Sequence, residues 1–478
     1  MSLTQDEYKS PLCSRYASKA MRTLFSNDKK FQTWRRLWIA LAEAECSLGL
    51  PITEEQIAEL HSHAEDINYD AADAHERRVK HDVMAHIHAY GDLCPLAKGI
   101  IHMGATSSFV GDNADIILMR EGLEIIKSRV LSVIHALSVF AEKYATLPTV
   151  GYTHFQPAQP VTVGKRAILW INDLVMDYEE LSSLISRLPF FGCKGATGTA
   201  ASFLSLFEGD HEKVKWLEKN IAEKMGFKKI ISASGQTYSR KWDSQILNVL
   251  SGIAQSAAKF SNDIRLLAHE KEIEEPFARD QVGSSAMPHK RNPMKSERIA
   301  SLARYVMTAA QNAPLTMAGQ WLERTLDDSA NRRIALPESF LATDAILLLY
   351  KDIASGMVVY PKVILKNLLK ETSFLAAERV MMQAVKAGGD RQTLHEALRK
   401  HIRVAAERLQ EGAEDNDLLK RLAGDPLFHM DSTEISDLLS AEAFIGRAAN
   451  QTKEYLEETV KPLLAAESFT DDGEKPEV

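Results

Sequence analysis

The sequence has 478 residues, 45% of them hydrophobic and 26% charged, with a formal net charge of −8. Those are globular values, long enough to bury a large core without disulfide or metal staples, and the acidic balance argues against non-specific nucleic-acid binding. An anionic small ligand stays open, because local charge can oppose the global sign.

At roughly 100–200 residues per domain, the length allows two to four domains. The N-terminus, MSLTQDEYKSPLC, lacks the apolar stretch of a signal peptide. No run approaches the roughly 18 apolar residues needed to span a bilayer, so no membrane is expected. Cys13, Cys46, Cys94 and Cys193 lie far apart without a CxxC pair, which reads as free thiols in a reducing, cytoplasmic compartment.

Residues 1–9 and about 466–478 are polar and read as frayed ends. Between them the dominant period is helical. WRRLWIALAEAECSL, Trp34 to Leu48, is rich in helix formers and ends at Gly49 and Pro51. Asp112 to Tyr144 holds one glycine, Gly122, and no proline, with apolar residues recurring at three/four spacing. The pattern returns over Lys165–Leu188, Ser239–Glu275, Met294–Asn312 and Asn331–Ile353. Helices this long exceed the globular mean of about 11–12 residues and predict an all-α bundle. Several carry apolar or small residues on more than one face, so subunits are expected to share a central bundle. GFKKIISAS is the best short strand candidate. The pattern divides the chain in three: a helical N-terminal domain over 1–111, a long-helix domain over 112–359, and a helical C-terminal domain over 360–478.

Four interruptions of the helices carry unusual polar density. GYTHFQPAQPVT, 151–162, leaves Thr153, His154, Gln156 and Gln159 on a stiff approach to the next helix, with Pro157 and Pro160 barring a helix there. A histidine so placed can pass a proton near neutral pH, although a surface or capping histidine fits too. QVGSSAMPHKRNPMKSER, 281–298, breaks both regular patterns and gathers Ser284, Ser285, Lys290, Arg291, Asn292 and Arg298, either as an anion site or as a mobile basic loop. IHMGATSSFVGD, 101–112, precedes a long helix, where Thr106 and Ser107 serve as a plain cap or as donors to an anion. RTLDDSANRR, 324–333, reads by default as an exposed, self-paired charge cluster. His81, His86 and His88 are separated by five and two residues, a spacing that does not put metal ligands on one helical face.

Together these segments carry a resemblance. SSAMPHKRNP, 284–293, resembles the signature loop of the fumarase/aspartase superfamily. SRYAS (14–18), KHDV (80–83), GATS (104–107), THFQPAQ (153–159), GQTYSRK (235–241) and RTLDDSANRR (324–333) are similar to the adenylosuccinate lyase family within it, nearest the animal-type members. The likeness runs from about Ser10 to about Leu464.

The resemblance implies an all-α, three-domain homotetramer whose central helices join in one bundle and whose active sites take loops from three subunits. It implies elimination of fumarate from adenylosuccinate and from the succinyl-carboxamide ribotide of purine synthesis, with no cofactor or metal. By motif, His154 would be the general acid and Ser284 the general base. His81, with Lys80 and Asp82, would sit at the nucleotide phosphate and near the acid. Arg15, Tyr16, Arg324, Ser329 and Arg333 would hold the nucleotide, and Thr106, Ser107, Lys290 and Asn292 the succinyl carboxylates. Thr153, Gln236 and Arg298 match further substrate contacts. Pro160 and Lys80 depart from residues common at their positions. A lyase acting on argininosuccinate, malate or aspartate, and a silent helical scaffold, are the rival readings.

Overall fold

A computed structural model describes residues 6–278, 280–437, 445–467, 469, 473–474 and 476. Much of the expected frayed ends, residues 1–5 and most of 468–478, lies outside the described residues.

Four helices of the first part position the site: α1 (Asn27–Ser47), α2 (Tyr69–Val79), α3 (Asp82–Leu93) and α4 (Ser107–Lys143). A hairpin of β1 (Pro148–Thr153) and β2 (Gln156–Thr162) leads into α5 (Val163–Arg187). Next come α6 (Lys241–His269), the short strand β3 (Ile273–Glu274), α7 (Met294–Ala309) and α8 (Asp328–Gly356). β4 (Val358–Val359) pairs with β3 and hands the chain to α9 (Pro361–Lys386) and α10 (Arg391–Gln410).

The long helices α4 to α8 pack on one another as a bundle. Their periodic apolar residues, among them Ile116, Leu123, Ile126, Ile171, Leu174, Ile246, Ile253, Phe340 and Ile346, are buried together. The mid-helix glycine of α4 has a packing cause: a Cβ on Gly122 would lie 2.9 Å from the Phe340 ring of α8. The intrinsic cost of glycine in a helix, about 1 kcal/mol, is offset by this close crossing. α6 stops at His269 rather than Glu275, because Glu272 to Glu275 turn away to pair and cap. A second, smaller core, with Val380, Leu394, Leu398, Leu418 and Phe428, lies in the C-terminal part.

Two strand expectations need correction. GFKKIISAS contributes only a single bridge, Ile230 to Phe190. The segment 151–162 approaches α5 as expected, but does so as a β-ribbon: Thr153 pairs with Gln156, so His154 and Phe155 form a two-residue turn, and Thr162 caps the helix. Both have positive φ, 55° and 56°, the pattern of a type I′ hairpin turn. Pro157 and Pro160 are tolerated because every strand of a two-stranded ribbon is an edge. The ribbon packs on α9, with a Gln159–Glu378 hydrogen bond of 2.8 Å, and α5 holds it through Arg166 to the Val150 carbonyl at 2.7 Å.

Candidate active site

A cleft of about 600 Å³ opens where the N-termini of α3 and α4 meet the start of α8 and the flank of α1. Lys80, His81 and Asp82 form one wall, Ser107 and Ser108 another, and Arg324, Ser329 and Arg333 a third.

Local backbone aims each group. Lys80 ends α2 in the left-handed region, φ 55°, a strained conformation for a residue with a side chain. His81 then caps α3: its Nδ1 accepts from the Met84 N–H at 3.4 Å. An accepting Nδ1 leaves the proton of the neutral ring on Nε2. Asp82 accepts from Arg333 at 2.7 Å and from its neighbour Val83 N–H at 2.8 Å. Burial would raise the Asp82 carboxyl, but the Arg333 hydrogen bond and charge outweigh it and hold the group below its usual range.

The N-terminus of α4 is open. Thr106 stands at the cap position, yet its hydroxyl makes no capping bond. The first turn of this 37-residue helix, whose Ser107 and Ser108 line the cleft, therefore has no side-chain acceptor at its cap, an arrangement that favours an anion. Arg324 lies beside it, donating to Ser108 Oγ and to Gln236 Oε1, both at 2.8 Å.

The 324–333 cluster is not self-paired. Apart from Asp327, which accepts from the nearby Thr325 and Gln320, its acids and bases bond across the fold. Arg332 donates to Asp243 at 2.7 Å, meets Asp115 at 2.9 Å and touches the Tyr238 hydroxyl. Asp328 accepts from Arg240 at 2.7 Å, and Arg240 also meets Asp112 at 3.0 Å. Asp112, Asp328 and Arg240 are largely buried where they line the cleft, and Asp243 is buried behind them, bonded to Arg332. Pro337 of α8 also lines the cleft, and it has no N–H to offer the Arg333 carbonyl one turn back.

Other expected site residues stand elsewhere on this chain. His154 is exposed at the hairpin tip, next to Thr153, and neither lines the cleft. Ser284, Lys290 and Asn292 belong to the loop between β3 and α7. Glu275 fastens the base of that loop, accepting from the N–H groups of Lys295 and Ser296 at 2.9 Å each and so capping α7. Its neck is closed by Asn292, which donates to the Gly283 carbonyl at 2.7 Å. Gly283 is required there, since a Cβ would lie 2.1 Å from the Lys290 carbonyl oxygen. Within the loop, Ser284 Oγ accepts from the Met287 N–H at 3.1 Å and the Ala286 N–H at 3.4 Å. Arg15 is exposed on a single π-helical turn, Leu12–Tyr16. The Tyr16 ring lies 5.7 Å from the Arg298 guanidinium.

Sequence reasoning missed Lys30, Trp34, Asp112, Asp115, Arg240 and Arg332, all of which line the cleft. Arg240 lay inside the GQTYSRK motif and Arg332 inside RTLDDSANRR, while Lys30 and Trp34 carried no signal of function. The three histidines near α3 have separate surroundings: His86 stacks on Phe31 at 3.7 Å and His88 lies 5.2 Å from His75.

Comparison with known proteins bears on the family and the fold. A family described as Lyase matches residues 16–308, and one described as Adenylosuccinate lyase C-terminus matches residues 373–455. The chain is 47% identical to adenylosuccinate lyase of Schizosaccharomyces pombe, over 96% of each chain. It is 45% identical to adenylosuccinate lyase of Schistosoma mansoni, again over 96% of each. The fold matches a 3-carboxy-cis,cis-muconate lactonizing enzyme from Pseudomonas putida with TM-score 0.82 at 24% identity, covering 96% of this chain and 100% of that one. By near full-length identity and by both family matches, the chain belongs to the adenylosuccinate lyase family.

Proposed function

We propose that this chain eliminates fumarate from adenylosuccinate, giving AMP, and from succinyl-aminoimidazole-carboxamide ribotide, giving the carboxamide ribotide of purine synthesis. One observation carries the reading. In a chain of net charge −8, the cleft sets Lys80, Arg324 and Arg333 beside an uncapped helix N-terminus. That is a receptor for an anion such as a nucleotide phosphate.

The reaction removes a proton from the carbon next to a carboxylate and then breaks a C–N bond. The carbanion spreads charge onto a carboxylate that is already negative, so pre-aimed donors are the main requirement, each worth about 10²–10³ in rate. Lys290, Asn292, Thr106 and Ser107 take that task in this reading, and Thr153, Gln236 and Arg298 add contacts. Ser284 is assigned as base. Its Oγ already accepts two backbone N–H groups, and the same donors favour an alkoxide. Neither bond has a counterpart at the exposed Ser285 among the described hydrogen bonds, which favours Ser284 over its neighbour. His154 is assigned as the acid that protonates the leaving nitrogen, with His81 oriented at the cleft wall. Arg15, Tyr16, Arg324, Ser329 and Arg333 hold the nucleotide. Every proton in this scheme moves between side chains and substrate, so the reading assigns no cofactor.

The assembly assigned is a homotetramer. Val139, Leu169, Met176 and Leu266 on the long helices are 43–60% exposed, which supports further helices packing on them. His154 and Ser284 lie away from the cleft of their own chain, which supports sites completed by other subunits. In this division residues 1–111 form much of the cleft wall, 112–359 the shared bundle, and 360–478 the backing of the hairpin. None of the described helices is long and apolar enough to cross a membrane, and all four cysteines are free. Free thiols support a cytoplasmic location.

The test is direct. Purified protein given adenylosuccinate releases fumarate and AMP in equal amounts, and the carboxamide ribotide substrate is cleaved too. Argininosuccinate, malate and aspartate release no comparable fumarate or ammonia. Preference for one of those three would move the chain to a different lyase reaction, and silence with every substrate would make it a scaffold.

A further inference from the structure

The charges of the cleft can be matched one by one. Arg240 is held by Asp112 and Asp328, Arg332 by Asp115 and Asp243, and Arg333 by Asp82. Three lining cations then remain with no carboxylate partner among the described residues: Lys80, Arg324 and Lys30. The first two belong to segments already linked to the nucleotide. Lys30 belongs to none.

Lys30 is half-buried on α1, with its Nζ 5.0 Å from the Trp34 ring and 5.2 Å from the Phe31 ring. Burial pushes its ammonium below the usual value, against attraction from Asp115 and repulsion from Arg333. Of the three carboxylates that attract it, Asp115 is committed to Arg332 and Asp82 to Arg333, while Glu76, which also lines the cleft, forms no ion pair with Lys30 among the described residues. A partly desolvated cation left without a hydrogen-bonding anion is costly in a protein used only for its fold. An entering dianion removes that cost. Its neighbour Lys29 illustrates the ordinary alternative, pairing with Glu121 at 2.7 Å.

We propose that Lys30 is a substrate-binding residue whose ammonium takes the phosphate of the nucleotide in the cleft that it lines together with Arg324. The proposal rests on the nucleotide reading of the cleft. Lys30 acts on binding and takes no part in proton transfer, so it lowers KM with little change in kcat.

The experiment measures binding of AMP and of adenosine to the full-length assembly by calorimetry, for the wild type, Lys30→Met and Lys30→Arg. Lys30→Met weakens AMP about ten- to a hundredfold, the range of a charge-assisted hydrogen bond. Adenosine, which lacks the phosphate, is bound equally by all three. Lys30→Arg keeps most of the AMP affinity. Unchanged AMP binding by Lys30→Met overturns the assignment, as does an equal penalty for AMP and adenosine. A Lys30→Met protein that loses its assembly state, with Lys30→Arg failing alike, identifies a structural lysine and also overturns it. If the wild type itself ignores AMP, the nucleotide reading of the cleft falls first.

Discussion

Asp82 and Arg333, 251 residues apart in the chain, meet in a 2.7 Å ion pair that ties the start of α3 to the second turn of α8, both residues lining the cleft. The Arg333 side chain is still 61% exposed, so the pair leaves part of the guanidinium available to a ligand. An ion pair this exposed contributes under about 1 kcal/mol to folding. Arg333→Gln is therefore expected to lower kcat/KM for adenylosuccinate by about ten- to a hundredfold, the worth of a charged hydrogen bond, while the thermal midpoint moves by only a few degrees. The depressed Asp82 carboxyl contributes its stability above the unfolded value near pH 4 and loses it only as pH falls through the lower folded value. At neutral pH the pair is intact, and no pH effect on Tm from this pair is expected between about 6 and 8, an interval well above any carboxylate value here. A large stability loss in Arg333→Gln would make the pair structural.

The bonds at Ser284 separate it from Ser285. Ser284→Ala and His154→Ala are each expected to reduce kcat by about 10²–10⁴ or more, the usual share of an acid–base group. Fold and assembly remain, since both side chains are on loops away from the core. Ser285→Ala retains most activity. Rapid-quench turnover of the three variants decides the assignment, and near-normal kcat in Ser284→Ala or His154→Ala would remove that residue from the mechanism.

Since His154 and Ser284 stand off the cleft of their own chain, a site built from several subunits makes a further quantitative claim. His154→Ala and Ser284→Ala proteins are each inactive alone. Mixed after dissociation and reassembly at equal amounts, they form some sites with both residues intact. If the two come from different subunits at random, about one quarter of wild-type activity returns. No recovery in verified mixed oligomers would put both residues of a site on one chain.

The long helices were legible because a three/four apolar repeat is local information, and α4, α5, α7 and α8 follow it closely. The hairpin was not. His154 and Phe155 are poor candidates for a turn with two positive φ angles, and the prolines disguise the strands. The pairing of the arginines was also hidden. Arg240 finds Asp328 at a separation of 88 residues and Arg332 finds Asp243 at 89, distances over which composition says nothing. Lys29 and Lys30 are adjacent and alike in sequence, yet one faces outward to Glu121 while the other turns toward Trp34. The motif residues split for a physical reason too: the 80–83, 104–107 and 324–333 segments meet at one cleft, while His154 and Ser284 sit on a hairpin tip and a loop that do not line it.

His86 gives an acid limb that can be tested apart from activity. It lies in α3, stacked on Phe31, and burial, helped by Lys30 and Arg35, lowers its imidazole to about 4. The unfolded chain binds the same proton near pH 6.5. The folded protein therefore holds fewer protons in that interval, and stability that is full above about 6.5 is lost as pH falls toward 4. The loss is on the order of 3 kcal/mol for a shift of this size. His102, also lowered to about 4 by burial, acts in the same direction, so removing one imidazole softens the limb without abolishing it. His86→Leu is expected to flatten the fall of Tm between about pH 7 and pH 5, the span between the two values of the histidine. It does so even if the variant is less stable overall, because the readout is the slope. A slope identical to that of the wild type would mean that another group takes up the proton.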